Sequence, residues 1–230
     1  KNIDDKFKLY LGTIAYNIMS EETNKWSNIY IYSQRDISLF YRMYKIIRIY
    51  VLQNRLIFFL GDGFMDSLSD VSFLNSLFER FYPIGSCENG GVTRLGYRPE
   101  ENKMHNMLKD ISKGLGFKVE TDSAGNSFVG IGDAKYEKYH LIGSHLDSVP
   151  SGGRYDGVCG VLSGLLVLNW IKKYNLKIPV KVVAFRCEES SAFGRATIGS
   201  SLSTGSIKDS ELAKLKNVNG ESLLDVFEKY

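Results

Sequence analysis

Apolar residues in the second half of the chain form two short runs with one long apolar stretch between them. The runs extend from about Tyr139 to Gly143 and from Val180 to Cys187, and both have the length and composition of buried strands. The stretch from about Gly157 to Tyr174 is apolar nearly all round, which predicts a buried helix. A strand, a crossover helix and a second strand make a βαβ unit with parallel strands. The carboxyl ends of the two strands should therefore share one sheet edge, where open α/β sheets bind ligands.

Residues 65–131 carry the signals of two helices and a hairpin. Apolar residues at helical spacing follow Asp70, a candidate N-cap, and predict a helix that Pro83 ends. A second helix is predicted to begin at Pro99, and residues 117–120 and 127–131 are predicted to form a hairpin. We therefore predict an α/β fold with a mixed, largely parallel sheet and flanking helices. The sheet should be incomplete at the C-terminus, since no closing element follows the last predicted helix.

The first 64 residues differ from the rest and are predicted to be an unassigned N-terminal extension, with residues 65–230 forming the main domain. The run from Ile37 to Leu60 is very apolar. Four basic residues interrupt it: Arg42, Lys45, Arg48 and Arg55. It therefore lacks the roughly 20 mostly uncharged residues that a membrane span requires. Three interpretations stay open: an interfacial amphipathic helix, an added helix or strand pair that covers the main domain, or upstream sequence that does not fold, with Met65 as the natural start. The membrane hypothesis is the weakest.

Composition restricts the classes of partner. The net charge of +3 comes entirely from the first 64 residues, because 65–230 hold equal numbers of basic and acidic residues. Nothing in the main domain therefore indicates a nucleic-acid partner. The three scattered cysteines are too few for a disulfide framework and fit a reducing compartment. With no signal-peptide pattern at the first residues, we expect a cytoplasmic protein.

Candidate chemistry begins where the first predicted strand ends. His145 and Asp147 are two positions apart, so on an extended segment the carboxylate can hold the imidazole in one tautomer and leave its other nitrogen for a metal. Asp156 follows on a glycine-flanked loop, where a carboxylate can bridge two cations. Taken singly, each has a plainer interpretation, as a packing histidine or a loop-capping aspartate.

A pair of acids, Glu188 and Glu189, ends the second predicted strand. Adjacent side chains on an extended segment point apart, so we expect one carboxylate to ligate a metal and the other to act as a general base. Two anions beside a buried strand are costly unless a cation compensates them. The alternative is a solvated strand end. The neighbouring Cys187 is interpreted as a packing residue, because a cysteine nucleophile needs a nearby base.

These segments resemble the hydantoinase/carbamoylase family of the M20 metallopeptidase superfamily, which includes N-carbamoyl-L-amino-acid hydrolases and allantoate amidohydrolases. The similar segments are Gly-Ser-His-Leu-Asp-Ser-Val-Pro at 143–150, Gly-Gly-Arg-Tyr-Asp-Gly at 152–157, Ala-Phe-Arg-Cys-Glu-Glu-Ser-Ser at 184–191, Asn-Gly-Gly-Val-Thr-Arg at 89–94 and Asp-Ser-Ala-Gly-Asn at 122–126. The resemblance covers roughly residues 74–230 and implies a catalytic domain of the zinc-exopeptidase type. Residues 1–64 have no counterpart in it.

The resemblance also implies a role for each site residue. His145 and Glu189 would be metal ligands, Asp156 the carboxylate that bridges two divalent cations, Glu188 the general base and Asp147 the carboxylate that orients His145. The implied reaction is hydrolysis of a linear C–N amide or ureido bond in a small molecule. Zinc, manganese, cobalt or nickel would suit oxygen-rich ligation with one histidine.

The chain departs from the family pattern in one respect. The family supplies two further metal-binding histidines and a lid domain through which full-length members dimerise, but no histidine follows His145 here. We therefore expect the amino-terminal portion of such an enzyme, which could lack activity in isolation. The alternatives are an M20 aminoacylase or dipeptidase and a truncated, non-catalytic domain.

Overall fold

The structure is a computed structural model that describes residues 67–88, 90–132 and 139–229 of the chain. The predicted N-terminal extension, residues 1–64, lies outside the described residues. The described residues form six helices and four strands, in chain order α1 (Ser67–Phe81), α2 (Pro99–Gly114), β1 (Lys118–Thr121), β2 (Ser127–Gly130), β3 (His140–His145), α3 (Val158–Lys173), β4 (Val180–Phe185), α4 (Ile198–Ser203), α5 (Asp209–Leu212) and α6 (Leu223–Glu228).

The four strands form one mixed sheet in the order β1-β2-β4-β3. The predicted βαβ unit is present, since β3 and β4 run parallel from the pair His140–Val180 to the pair His145–Phe185. The predicted hairpin is also present, as β1 and β2 pair antiparallel. The mixed sheet is confirmed, but the expected predominance of parallel pairs is not seen among the described strands. The β2–β4 pairing is antiparallel too, because the hairpin docks beside β4 and its second strand runs the opposite way.

Helix α3 lies against the parallel pair and supplies much of the core. Its apolar side chains face the sheet on one side and helix α1 on another, which explains why this helix is apolar nearly all round. The first helix begins at Ser67, so Asp70 lies within its first turn and is not the predicted N-cap. It ends at Phe81, two residues before Pro83, as the proline predicts. No helix among the described residues is long and apolar enough to cross a membrane.

A second apolar cluster packs the C-terminal segment against the sheet end that carries the candidate site. It consists of buried residues from the loops after α1, β4 and α4 and from the last three helices: Tyr97, Cys187, Ala192, Phe193, Ile198, Ile207, Leu212, Leu223 and Val226. Because Cys187 belongs to this cluster, the backbone that follows β4 is anchored by packing. The loop that leaves β4 is therefore a packed part of the structure, where Glu188 and Glu189 follow Cys187 directly.

Candidate metal centre

The candidate site lies where β3 and β4 end side by side. His145 is the last residue of β3 and pairs in register with Phe185, the last residue of β4. The loops that follow the two strands carry the acidic residues, so the sheet edge predicted from the βαβ pattern is where they meet. The parallel pairing brings together residues more than 40 positions apart, including Asp147 and the backbone of Glu188.

The imidazole of His145 is buried and held in one orientation. Its Nδ1 lies 3.1 Å from the backbone oxygen of Asp147 and 3.3 Å from that residue's Oδ1. With two acceptor oxygens beside it, Nδ1 carries the proton, which leaves Nε2 as the atom able to coordinate a metal. Nε2 faces Glu188 Oε2 at 3.7 Å and Asp156 Oδ1 at 4.0 Å. The expected orienting role of Asp147 is thus supported by the contacts it makes.

Asp147 also connects the two strand ends directly. Its carboxylate is fully buried and accepts the backbone N–H of Glu188 at 3.0 Å and that of Glu189 at 2.9 Å. Hydrogen bonds to an ionised group are the stronger kind, worth about 1.5–3 kcal/mol each. One side chain therefore fixes both the imidazole at the end of β3 and the acid pair on the loop that follows β4.

Contrary to the prediction, the side chains of Glu188 and Glu189 do not point apart. His145, Glu188 and Glu189 each offer a ligand atom, and these atoms all lie within 4.8 Å of one another. The prediction assumed an extended backbone, but β4 ends at Phe185 and Cys187 adopts a left-handed conformation with φ +47°. That turn breaks the two-residue alternation of a strand, so consecutive side chains can face the same cluster.

The loop that carries Asp156 approaches the histidine through a glycine. Gly157, with φ +65°, precedes helix α3, and a Cβ at this position would lie 2.5 Å from the backbone oxygen of His145 and 2.6 Å from its Cε1. A larger residue would push the loop away from the imidazole. The glycine therefore lets Asp156 stand 4.0 Å from Nε2, with its side chain still about one-third exposed.

Burial and mutual repulsion shape the protonation of the site. Burial by itself would lower the pKa of His145, but the bond to Asp147 and the charges of Asp147, Glu188 and Asp156 outweigh it and raise that pKa to about 9. Burial, with help from the neighbouring carboxylates, raises the pKa of Glu189 to about 7. Burial likewise raises the pKa of Glu188. Several acids crowded around one imidazole make this region attractive to positive charge.

The donor set fits a divalent cation. One imidazole nitrogen and three carboxylates converge, and a nitrogen with oxygens is a ligand combination that zinc, manganese, cobalt and nickel all accept. Every residue predicted for the site is brought to this one region: His145, Asp147, Asp156, Glu188 and Glu189. Their individual roles stay predictions, since the geometry alone does not distinguish a ligand from a base.

Sequence reasoning missed two buried residues that support the site, Glu101 and Arg186. Glu101 lies in the first turn of α2, where an acidic side chain needs no burial, yet it is fully buried and accepts the backbone N–H of Cys187 at 2.7 Å. Arg186 Nε lies 3.0 Å from its Oε2. A signal was available, because Glu101 precedes the buried Met104 and Leu108 of α2 at helical spacing and so falls on the apolar stripe.

The chain is similar to known amidases over most of the described residues. N-carbamoyl-L-amino acid amidohydrolase of Geobacillus stearothermophilus is 33% identical over 150 residues, which are 64% of this chain and 36% of that protein. Allantoate amidohydrolase of Escherichia coli is 31% identical over 144 residues, 61% of this chain and 35% of that protein. No family model matches the chain.

Solved structures agree with these similarities. The crystal structure of a hydantoinase/carbamoylase family amidase from Burkholderia ambifaria has a TM-score of 0.63 at 29% identity and covers 69% of this chain and 40% of that one. The chain thus spans between about a third and two fifths of the length of these relatives. Its matched part is homologous to the hydantoinase/carbamoylase family of amidases. This confirms the resemblance carried by its motifs, which is to a partial, N-terminal region of such proteins.

Proposed function

We propose that this chain carries the amino-terminal part of the catalytic domain of a metal-dependent amidohydrolase, within residues 65–230. The observation that carries the proposal is the convergence of His145, Glu188 and Glu189 within 4.8 Å, with Asp156 at the same edge. N-carbamoyl amino acids and allantoate, for which these relatives are named, both contain a linear C–N bond beside a carbonyl group. We propose the same substrate class here: a small molecule with a linear amide or ureido bond.

The residues divide into those that hold cations and those that move protons. His145 and Glu189 would serve as ligands of divalent cations, and Asp156, whose side chain is about one-third exposed, would be the carboxylate shared between two of them. When bound, such cations acidify water and polarise the carbonyl that is attacked. Because the chain spans about 36% of a relative's length, we propose that further ligands come from outside the described residues.

Glu188 acts as the general base. Its Oε2 lies 3.7 Å from His145 Nε2 and stays partly accessible, so it borders the place where ligand and substrate meet. Burial raises the pKa of this carboxyl, which brings it closer to the operating pH and makes it a better proton acceptor. Glu188 takes the proton of the attacking water and returns it to the leaving nitrogen. Asp147 holds His145 in position through its contacts with Nδ1.

The setting of this activity follows from the cysteines and the relatives. Cys87, Cys159 and Cys187 are all free thiols, which suits a reducing compartment, and we propose a cytoplasmic enzyme. We propose further that the whole protein is a homodimer that pairs through a domain not included among the described residues.

Two glutamine variants test the assignment of ligand and base. Titration calorimetry of the full chain with Zn²⁺, Mn²⁺, Co²⁺ and Ni²⁺ should show binding that Glu189→Gln weakens by at least about tenfold. Glu188→Gln should leave that affinity within about threefold, yet abolish any hydrolysis of an N-carbamoyl amino acid. Glu228→Gln, the same change at an exposed helix end, is the control and should alter neither measurement.

Three results would count against the proposal. Equal losses of cation affinity in Glu188→Gln and Glu189→Gln would show that the two residues do not act separately as base and ligand. Absence of cation binding by the unmodified chain would remove the metal site from it. Cleavage of a dipeptide but not of an N-carbamoyl amino acid would replace the substrate class with that of an aminoacylase or dipeptidase.

A further inference from the structure

Three consecutive backbone N–H groups after β4 are all bonded to buried carboxylates. Glu188 and Glu189 donate to Asp147, while Cys187 donates to Glu101 at 2.7 Å. Both accepting side chains are fully buried. The acid pair of the candidate site is therefore mounted on a segment whose backbone is held from two sides, by Asp147 at the end of β3 and by Glu101 on helix α2.

Glu101 uses both of its oxygens. Oε1 accepts the N–H of Cys187, and Oε2 accepts the N–H of Tyr97 at 2.6 Å and lies 3.0 Å from Arg186 Nε. Burial and the charge of Asp147 raise the pKa of Glu101 to about 7, while Arg186 and the two backbone N–H groups act in the opposite direction. A fully buried carboxylate is costly unless it is paired and hydrogen-bonded in this way.

The backbone that Glu101 holds is one that does not form readily by itself. Cys187 has φ +47°, and a residue other than glycine in the left-handed region costs about 1–2 kcal/mol. Gly96 packs directly on Cys187, since a Cβ at Gly96 would lie 2.6 Å from the cysteine Cβ and 2.8 Å from its Cα. A hydrogen bond to an ionised acceptor, worth about 1.5–3 kcal/mol, is of the size needed to offset that strain.

The turn at Cys187 is also what brings the two acids together. An extended backbone from β4 would send Glu188 and Glu189 to opposite faces. With the turn in place, both reach the neighbourhood of His145 Nε2. The bond between Glu101 and Cys187 links residues 86 positions apart and lies outside the group of atoms that would touch a cation.

We propose that Glu101 is a positioning residue for the metal centre: its carboxylate fixes the left-handed turn at Cys187 and so aims Glu188 and Glu189 at His145. This inference rests on the proposed cation site for its consequence, but the positioning itself is a property of the backbone. It can therefore be measured separately from metal binding.

The test uses two variants of the full chain. Glu101→Gln keeps the shape of the side chain but loses the charge and one acceptor. The double variant Glu101→Gln with Arg186→Met removes both buried charges, so that no unpaired guanidinium remains. Glu120→Gln is the control, because that glutamate pairs with Lys181 on the exposed end of the sheet.

Amide hydrogen exchange is the first measurement. In both Glu101 variants, exchange at Cys187, Glu188 and Glu189 should accelerate by about tenfold or more, while the β1–β2 hairpin keeps its protection. A purely structural role would accelerate exchange throughout the chain, and the control should change nothing at Cys187. Unchanged protection at 187–189 in the double variant would overturn the inference, as would global unfolding of both variants.

Titration with Co²⁺ or Zn²⁺ alone is the second measurement. Loss of a residue that orients ligands typically costs 10- to 100-fold in metal affinity, and we expect a loss of about that size in the double variant. An unchanged affinity in a folded double variant would overturn the inference. If the unmodified chain binds no cation, the proposed function fails, and the exchange measurement still decides whether Glu101 positions the turn.

Discussion

Replacing Asp147 with asparagine should destabilise the protein far more than an ordinary change of charge. The buried carboxylate accepts the N–H groups of Glu188 and Glu189 and faces His145 Nδ1. An asparagine of the same shape offers one oxygen and one NH₂ group, so one of the two backbone donors meets another donor. The loss of one charge-assisted bond costs about 1.5–3 kcal/mol, and weakening the second to a neutral bond costs about 1 kcal/mol more. We therefore expect the free energy of unfolding to fall by about 3 kcal/mol.

Denaturant unfolding of the full chain in guanidinium chloride measures this loss, with the helix signal of circular dichroism as the readout. Asp110→Asn is the matched control, the same chemical change at an exposed position of α2, and should stay within about 0.5 kcal/mol of the original chain. The Asp147 variant should also bind cations less tightly, because the imidazole loses its orienting partner. A destabilisation below about 1 kcal/mol would show that Asp147 does not bind the two strand ends together.

Two further predictions concern packing and pH. Gly96→Ala should lower the free energy of unfolding by at least about 2 kcal/mol and weaken cation binding, because its Cβ would overlap Cys187. Gly114→Ala, with open space around it, should instead stabilise α2 by about 0.5–1 kcal/mol. Denaturant unfolding compares the two variants, and similar effects would contradict the close packing at Gly96. Burial, Arg186 and Lys109 hold the pKa of His105 well below its usual value. As the pH falls below about 6.5, the unfolded chain therefore binds a proton that the folded protein does not, and the free energy of unfolding falls by up to about 1.4 kcal/mol per pH unit. His105→Gln should lack this component between pH 8 and pH 5.5, and parallel pH dependences of unfolding for the two proteins would refute it.

Much of the site was predictable because it follows from local patterns. The length and composition of the apolar runs identified β3, α3 and β4 within a few residues of their observed ends. The rule that parallel strands end at a common edge then placed His145, Asp156 and Glu189 together, and they do meet there. Spacing also indicated that Asp147 would orient the imidazole, which its contact with Nδ1 supports.

The sheet was predicted less well than the site. The hairpin of β1 and β2 was expected, but nothing in its sequence says which strand it joins or in which direction. Its second strand docks antiparallel beside β4, which leaves β3–β4 as the parallel pair among the described strands. Pairing partners are chosen by the packing of faces far apart in the chain, and periodicity within one strand does not contain that information.

The sequence by itself determined the helices and strands, their apolar stripes and the identity of the acids that follow the strand ends. Each of these depends on residues that lie close to one another in the sequence. The tertiary structure alone decided that Cys187 turns left-handed, that Glu188 and Glu189 therefore converge instead of diverging, and that Glu101 holds this turn from helix α2. The physical reason is that a buried carboxylate and a strained backbone are each unfavourable alone. They become stable only when folding brings a partner from a distant part of the chain into contact with them.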